Sequence, residues 1–365
     1  MILIDTMNRL LIICRQQFGY LVDIYKWCEH ISDDYQVDVV TFDGKEKIIL
    51  DKPNVKVHYV SYKGNKTIRG IRYILASLWY MLFFKGNIIV EYFGGCNIFK
   101  KMLPWKRMIL DIRTLSIKKE EKQRTAENNK IKQTCDKYDF TTIISEGTRD
   151  AISLDKQKSA IVPLGSDVIS TTEKSFEILR LLYIGTLSGR DIYKTVKGLA
   201  IFKGAHPDVA IHYDIVGDGY NNELSKLKEL TKELNITDCV TLHGFKPHTE
   251  IKEFLDKCNI GVSFVPITEC YNHQPPTKTY EYILSGLYTI ATRTFCNNEI
   301  VNENNGILIK DTEEDFANAL NYITQNNKQF NSSIIRETLT ESTWKNIVRN
   351  YLQPCLNKYK YENTH

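Results

Sequence analysis

The sequence predicts an α/β protein built from two doubly wound parallel-sheet domains. Three observations lead there: a length of 365 residues, a succession of short apolar runs each followed by a stretch with helical spacing, and a restart of that succession after a polar segment near residue 165. A chain this long exceeds one ordinary core and suits two lobes, each able to bury its own interior.

The first succession gives seven strands: Leu10 to Cys14, Val37 to Phe42, Val55 to Val60, Ile88 to Glu91, Met108 to Ile112, Thr141 to Ser145 and Ala160 to Pro163. Several are apolar at every position, as strands buried on both faces must be, so helices lie above and below them. Tyr20 to Ile31, Ile68 to Phe84, Lys119 to Asp136 and Glu146 to Ser153 have the spacing of those helices. From Leu164 to Glu177 the chain turns polar, which marks a linker. Six further strands follow: Leu181 to Ile184, Ile211 to Val216, Val240 to Leu242, Ile260 to Phe264, Tyr288 to Ala291 and Ile307 to Ile309. The expected domains are 1–168, 169–340 and a C-terminal helix within 341–365 that crosses back to the first lobe.

Composition narrows the class. Apolar residues make up 42% and charged residues 25%, which argues against a fibrous or largely disordered chain. The nine cysteines are odd in number and contain no C-x-x-C pair, so neither a secreted disulfide framework nor a structural zinc site is expected, and a reducing cytoplasm fits best. No run of about 20 apolar residues exists to span a membrane. Asp5, Asn8 and Arg9 interrupt the N-terminal run before a signal-peptide core forms. Residues 1–170 carry 27 Lys/Arg against 20 Asp/Glu, and the remainder 21 against 24, so the first lobe is the basic one. Within it, residues 52–110 hold eleven Lys/Arg and one acid, Glu91, a positive face suited to phosphate-rich partners. The aromatic, apolar stretch Ile71 to Phe84 lies in this region, too short to span a bilayer but suited to its interface; a helix buried between sheet and loops reads the same way. Peripheral attachment to an anionic membrane, on the inner face of the cell membrane, is the resulting expectation.

Ligands of open parallel sheets bind beyond the carboxyl ends of strands, so the turns carry the chemistry. Four turns in the second lobe stand out in order: Tyr183 to Leu187 (YIGTL) with Arg190 downstream, Ile215 to Gly219 (IVGDG), Val240 to Phe245 (VTLHGF), and Pro276 to Gly286 (PTKTYEYILSG). Together they resemble the donor domain of glycosyltransferase family 4, and Ile144 to Gly147 with Ile161 to Asp167 extend the resemblance into the first lobe. It implies a GT-B fold, two Rossmann-like domains facing each other across a cleft, and retaining transfer from a nucleotide diphosphate sugar. No cofactor or metal is expected beyond that co-substrate; the sequence also lacks a D-x-D triplet. No nucleic-acid partner is expected.

The residues support this chemistry individually. Gly185 and Thr186 form a turn that lets phosphates approach the backbone, and Arg190 or Lys194 supplies fixed positive charge, Arg190 lying nearer the family's basic position. Both could instead sit on a solvated helix face. Gly217 reads first as turn geometry; Gly244 and Phe245 occupy the loop that passes the nucleotide base in the family. Pro275 and Pro276 lead into a helix opened by Thr277, with Lys278 and Thr279 in its first turn, whose amides make an anion site. Glu281 matches the family's ribose-binding glutamate. Eight positions earlier, where the family commonly has a sugar-contacting glutamate, this chain has His273. In the first lobe, Gly19 leaves room for the acceptor or the transferred sugar, and Asp111 and Arg113 are candidates for binding an acceptor hydroxyl or phosphate, Asp111 with a catalytic role; a structural ion pair with the other lobe is the alternative for either. The acceptor implied is a saccharide or lipid-linked saccharide in surface polysaccharide or glycoconjugate synthesis. Two other functions stay open: a sugar-nucleotide epimerase of the same fold, and a non-catalytic nucleotide-sugar-binding partner of a transferase.

Overall fold

All thirteen expected strands form, and they sort into two wholly parallel sheets. A computed structural model describes residues 7–118 and 120–359. The chain divides into unit 1, Met1–Leu164 with Trp344–His365, and unit 2, Gly165–Thr343.

In unit 1 the strands are β1 (Asn8–Ile13), β2 (Tyr35–Asp43), β3 (Val55–Ser61), β4 (Asn87–Glu91), β5 (Ile109–Ile112), β6 (Phe140–Ile143) and β7 (Ser159–Ile161). Their order is β3-β2-β1-β4-β5-β6-β7, so the chain winds outward one way from β1, then returns and winds the other. Leu10 pairs with both Val37 and Asn87, which places β1 at the point of reversal. Leu11, Ile13, Val90, Leu110 and Ile112 are buried in the core that helices complete.

Those helices are α1 (Val22–Ile31), α2 (Lys66–Phe83), α3 (Ile98–Met102), α4 (Glu121–Cys135) and α5 (Glu146–Ala151). Helix α2 starts where the Asn65 side chain accepts a hydrogen bond from the Ile68 amide, satisfying a first-turn donor. Helix α3 is missing from the sequence reading because five residues after a Gly-Gly pair give too little periodicity. The expected start of α4, Lys119, lies outside the described residues.

Unit 2 repeats the winding with β8 (Leu179–Ile184), β9 (Ile211–Val216), β10 (Val240–Gly244), β11 (Ile260–Ser263), β12 (Tyr288–Thr292) and β13 (Gly306–Ile309), in the order β10-β9-β8-β11-β12-β13. Its helices are α6 (Tyr193–Ala205), α7 (Glu223–Glu233), α8 (Ile251–Lys257), α9 (Glu269–Asn272), α10 (Thr277–Leu284), α11 (Phe295–Ile300), α12 (Glu313–Asn326) and α13 (Ser332–Glu337). Here the reversal falls between β8 and β11.

The C-terminal segment packs on unit 1 but not as one helix. It runs as α14 (Trp344–Ile347), a π-turn (Val348–Leu352) and α15 (Gln353–Lys358). Pro354, second in α15, has no amide to donate one turn back and its ring crowds that turn, which accounts for the widened coil just before it. Trp344, Leu352 and Leu356 are buried, the Asn87 side chain donates to the Leu356 carbonyl at 3.0 Å, and Tyr359 stacks on Phe140.

The described cysteines are all buried and unpaired. Among the described residues no helix is long and apolar enough to cross a membrane.

Candidate nucleotide-sugar site

Three glycine turns at the carboxyl ends of β8, β9 and β10 lie side by side in unit 2. The Gly185 amide donates to Val216, the Leu187 amide to Asp218 and the Gly217 amide to Gly244, at 2.8 to 2.9 Å, so each turn is laced to the next. Gly217 adopts φ +145°, and a Cβ there would lie 1.8 Å from the Gly185 carbonyl oxygen. Only a residue without a side chain lets these two backbones meet. Gly244 ends the row at φ +67°, followed by Phe245, which is 77% exposed.

Helix α10, which follows β11, closes on this row across the point of reversal. Tyr282 ties it down: its hydroxyl accepts a hydrogen bond from the Ile184 amide at 2.8 Å. The ring lies against Gly261 of β11, where a Cβ would come within 2.5 Å of it. On the far side, fully buried Thr279 bonds to Ser263 at 2.7 Å and to Asn297 at 2.9 Å. The Thr279 side chain therefore orients the helix and does not face a ligand. The first-turn amides at Thr277 and Lys278 have no intrahelical acceptor, as in any α-helix, and the Pro275-Pro276 approach brings no acidic residue into that turn.

Two cations meet here. Lys278 places its ammonium 4.0 Å over the Tyr183 ring, and a Cβ on Gly185 would lie 3.3 Å from the Lys278 nitrogen. Arg190, in the loop before α6, lies 4.3 Å over the Tyr271 ring, and its buried Nη1 has no hydrogen-bond partner. Desolvation first, then the neighbouring Arg190 charge, pull the Lys278 amine down to about 7, with Glu281 one turn on opposing the shift. Two adjacent cations, one with an orphaned buried N–H, leave an unmet demand for an anion at the mouth of the glycine turns. Tyr271 is not among the site residues expected from the sequence; it reaches Arg190 because residues 269–272 coil into α9.

The other predicted donor residues differ in fate. Thr186 is exposed at the turn, its hydroxyl 3.4 Å from the Asp218 carbonyl. Lys194 is turned away, donating to the Asp311 carbonyl at 3.0 Å and pairing with Asp191 at 3.6 Å, so of the two expected cations Arg190 alone serves the turn. His273 caps the end of α9 with its ring 5.2 Å from that of Phe295.

In unit 1 two expectations are corrected. Asp111 is fully buried within β5, held by the Thr142 hydroxyl at 2.7 Å, with burial raising its carboxyl to about 6. Arg113 is bound to Asp23 of α1 and donates to the Val162 carbonyl at 2.7 Å. Both side chains are held by partners within unit 1, and neither charge is free for an acceptor. Gly19 accommodates the Ile48 side chain, which a Cβ would approach to 2.5 Å, so the space at this glycine is already filled.

A cavity of about 480 Å³ lies at the reversal point of the unit 1 sheet. Arg15 and Gln17 follow β1, Lys45 follows β2, Tyr62 follows β3, Lys66 and Arg69 open α2, and Glu91 ends β4 with Tyr92 and Phe93 just beyond it. Gln17 builds one wall: its amide nitrogen donates to Lys45 and Glu46 carbonyls, both at 2.8 Å, and its oxygen accepts from the Gly44 amide at 2.7 Å. Glu91 accepts a hydrogen bond from the Arg15 amide at 3.4 Å, and burial raises its carboxyl to about 7.

Residues 179–326, from β8 to the end of α12, match the family model described as Glycosyl transferases group 1. No curated protein matches the sequence. Among solved structures, Anabaena HepE in complex with UDP and glucose is similar at TM-score 0.74 and 13% identity, over 96% of this chain and 100% of that one. Sucrose-phosphate synthase from Thermosynechococcus elongatus gives 0.72 and 14%, over 96% and 98%. The lipopolysaccharide outer core galactosyltransferase WaaB gives 0.70 and 16%, over 96% and 99%. At such identities the likeness is one of fold, and the fold is that of GT-B glycosyltransferases.

Proposed function

We propose that the chain is a glycosyltransferase of the group 1 type, taking its sugar from a nucleotide diphosphate sugar held by unit 2. The observation that carries this reading is the Arg190–Lys278 pair beside the three linked glycine turns, inside the segment that matches the family model. HepE was solved with UDP and glucose, which supports a nucleotide sugar as donor.

In this reading the diphosphate rests against the Gly185 turn and the first-turn amides of α10, and Glu281 receives ribose hydroxyls. As the glycosidic bond breaks, charge builds on the departing diphosphate. Arg190 and Lys278 are already in place and stabilise the transition state more than the bound donor. The two side chains supply the positive charge, so the scheme requires no metal, and turnover is expected to persist in EDTA. Transfer proceeds with retention, to a saccharide or lipid-linked saccharide bound by unit 1.

Helix α2 supports a membrane-bound acceptor. It buries Tyr73, Ser77 and Met81 and leaves Ile68, Ile71, Leu75, Trp79 and Phe83 exposed along the opposite face, Trp79 by 65%. Exposed Lys66 opens it, exposed Lys63 and Lys85 flank it, and the only acid in residues 52–110 is Glu91 of the cavity wall. An aromatic stripe with basic flanks fits an anionic bilayer surface. Attachment to phosphatidylglycerol liposomes that survives at low salt and is lost in Trp79→Ser/Leu75→Ser supports this; no flotation of the wild type overturns it.

The donor reading is tested by thermal-shift measurement against nucleoside diphosphates and their sugars. A ligand at a hundred times its Kd stabilises the native state by about 2.7 kcal/mol, a shift of a few degrees. The expected outcome is a shift with one nucleotide diphosphate sugar that is lost in Arg190→Ala. Absence of any shift across uridine, guanosine, adenosine and cytidine diphosphates and their sugars contradicts it.

A further inference from the structure

The cavity of unit 1 mirrors the donor site in position. Both lie beyond the carboxyl ends of strands at the reversal point of a parallel sheet, where loops diverge and leave a crevice. Arg15, Lys45, Lys66 and Arg69 all line it. Three of these cations lie over aromatic rings: Arg15 5.5 Å from Phe93, Lys45 4.3 Å from Tyr20 and Arg69 4.0 Å from Tyr62. Among the described residues none of the four is ion-paired within hydrogen-bonding reach of a carboxylate. Such a concentration of charge is costly without a counter-ion, and stacking on rings holds the guanidinium and ammonium groups in place without neutralising them.

The wall is built for position. Gln17, buried, holds the Gly44 to Glu46 loop by four hydrogen bonds, which fixes the backbone from which Lys45 reaches in. Lys66 and Arg69 come from the first turns of α2, the helix whose next turns carry the exposed stripe of Ile71, Leu75 and Trp79. Anion-binding cations and the apolar stripe thus share one rigid element.

We propose that this cavity binds the phosphate or pyrophosphate group of the acceptor, so that the chain's second substrate is a phosphate-bearing molecule recognised through Arg15, Lys45, Lys66 and Arg69. This rests on the transferase reading for the word acceptor; the anion site itself does not. The half-buried ring of Tyr92, which also lines the cavity, offers a surface for the sugar or chain attached to that phosphate.

The test is calorimetric titration of inorganic pyrophosphate into the full-length protein at pH 8 with UDP saturating, so that unit 2 is occupied. Wild type is expected to bind, and Lys45→Gln/Arg69→Gln to bind at least tenfold more weakly. Glu91→Gln, which removes the cavity's one carboxylate, is expected to bind severalfold more tightly, a gain that misfolding does not produce. Failure of wild type to bind, or equal affinity in all three proteins, overturns the proposal. UDP titrated alone reports separately on the donor reading, and if UDP does not bind, the comparison of the three proteins still decides. Flotation with phosphatidic acid against phosphatidylcholine vesicles distinguishes the source. Loss of binding to the acidic vesicles in Lys45→Gln/Arg69→Gln assigns a lipid headgroup, and unchanged flotation with weakened pyrophosphate binding assigns a soluble phosphate.

Discussion

At the scale of single residues, the account turns on side chains whose charge has been made costly. Lys278 has its amine drawn to about 7 by burial and by Arg190, so above that pH the empty site holds it largely neutral. A bound diphosphate favours the ammonium and must then be accompanied by proton uptake. The sign follows: nucleoside diphosphate affinity falls as pH rises from 7 to 9, by up to about tenfold per pH unit, and is insensitive to this group below 7. Calorimetry in buffers of different ionisation enthalpy should detect the uptake, and Lys278→Met should abolish both effects. Arg190→Ala should lower turnover by about a hundredfold to a thousandfold, the usual cost of deleting one preorganised donor to developing negative charge. Gly217→Ala places a methyl against the Gly185 carbonyl and should destabilise unit 2 by on the order of 3 kcal/mol, measured by urea denaturation.

At the scale of elements, α10 is the part that must be aimed. Tyr282 connects it to the end of β8 and Thr279 connects it to β11 and α11. Tyr282→Phe leaves the Ile184 amide without its acceptor and should cost about 1–3 kcal/mol. Because the α10 amides and Lys278 shift together, KM for the donor should rise along with the stability loss. The strands were legible in sequence because a parallel sheet covered on both faces demands unbroken apolar runs, and such runs recur thirteen times. The glycine turns were legible because each follows a strand. Helix α3 and the π-turn before Pro354 were not, since the first is too short for periodicity and the second depends on how one proline is accommodated in an otherwise regular helix.

At the scale of the molecule, what sequence leaves out is convergence. Arg190 and Glu281 were visible through the resemblance of their motifs to a known family, but Tyr271 meets Arg190 only after α9 forms, and the four cations of the unit 1 cavity come from two strand ends and a helix separated in the chain. Asp111 and Arg113 show the converse: charge at a strand end was visible, whereas its inward direction, toward Thr142 and Asp23, was set by packing. The two units have separate cores, and the C-terminal residues 344–358 belong to unit 1. Deleting them uncovers the surfaces that Trp344, Leu352 and Leu356 bury, so calorimetry of chain 1–343 should show unit 1 melting well below its normal temperature. The transition stabilised by nucleotide should move little.

The central claim is that unit 2 seats a diphosphate between Arg190, Lys278 and the glycine turns. The most direct measurement is the affinity of a nucleoside diphosphate against that of the corresponding monophosphate, in wild type and in Arg190→Ala/Lys278→Met. The account predicts a clear preference for the diphosphate that the double variant loses, with monophosphate affinity changing far less. Equal diphosphate affinity in the two proteins would contradict it.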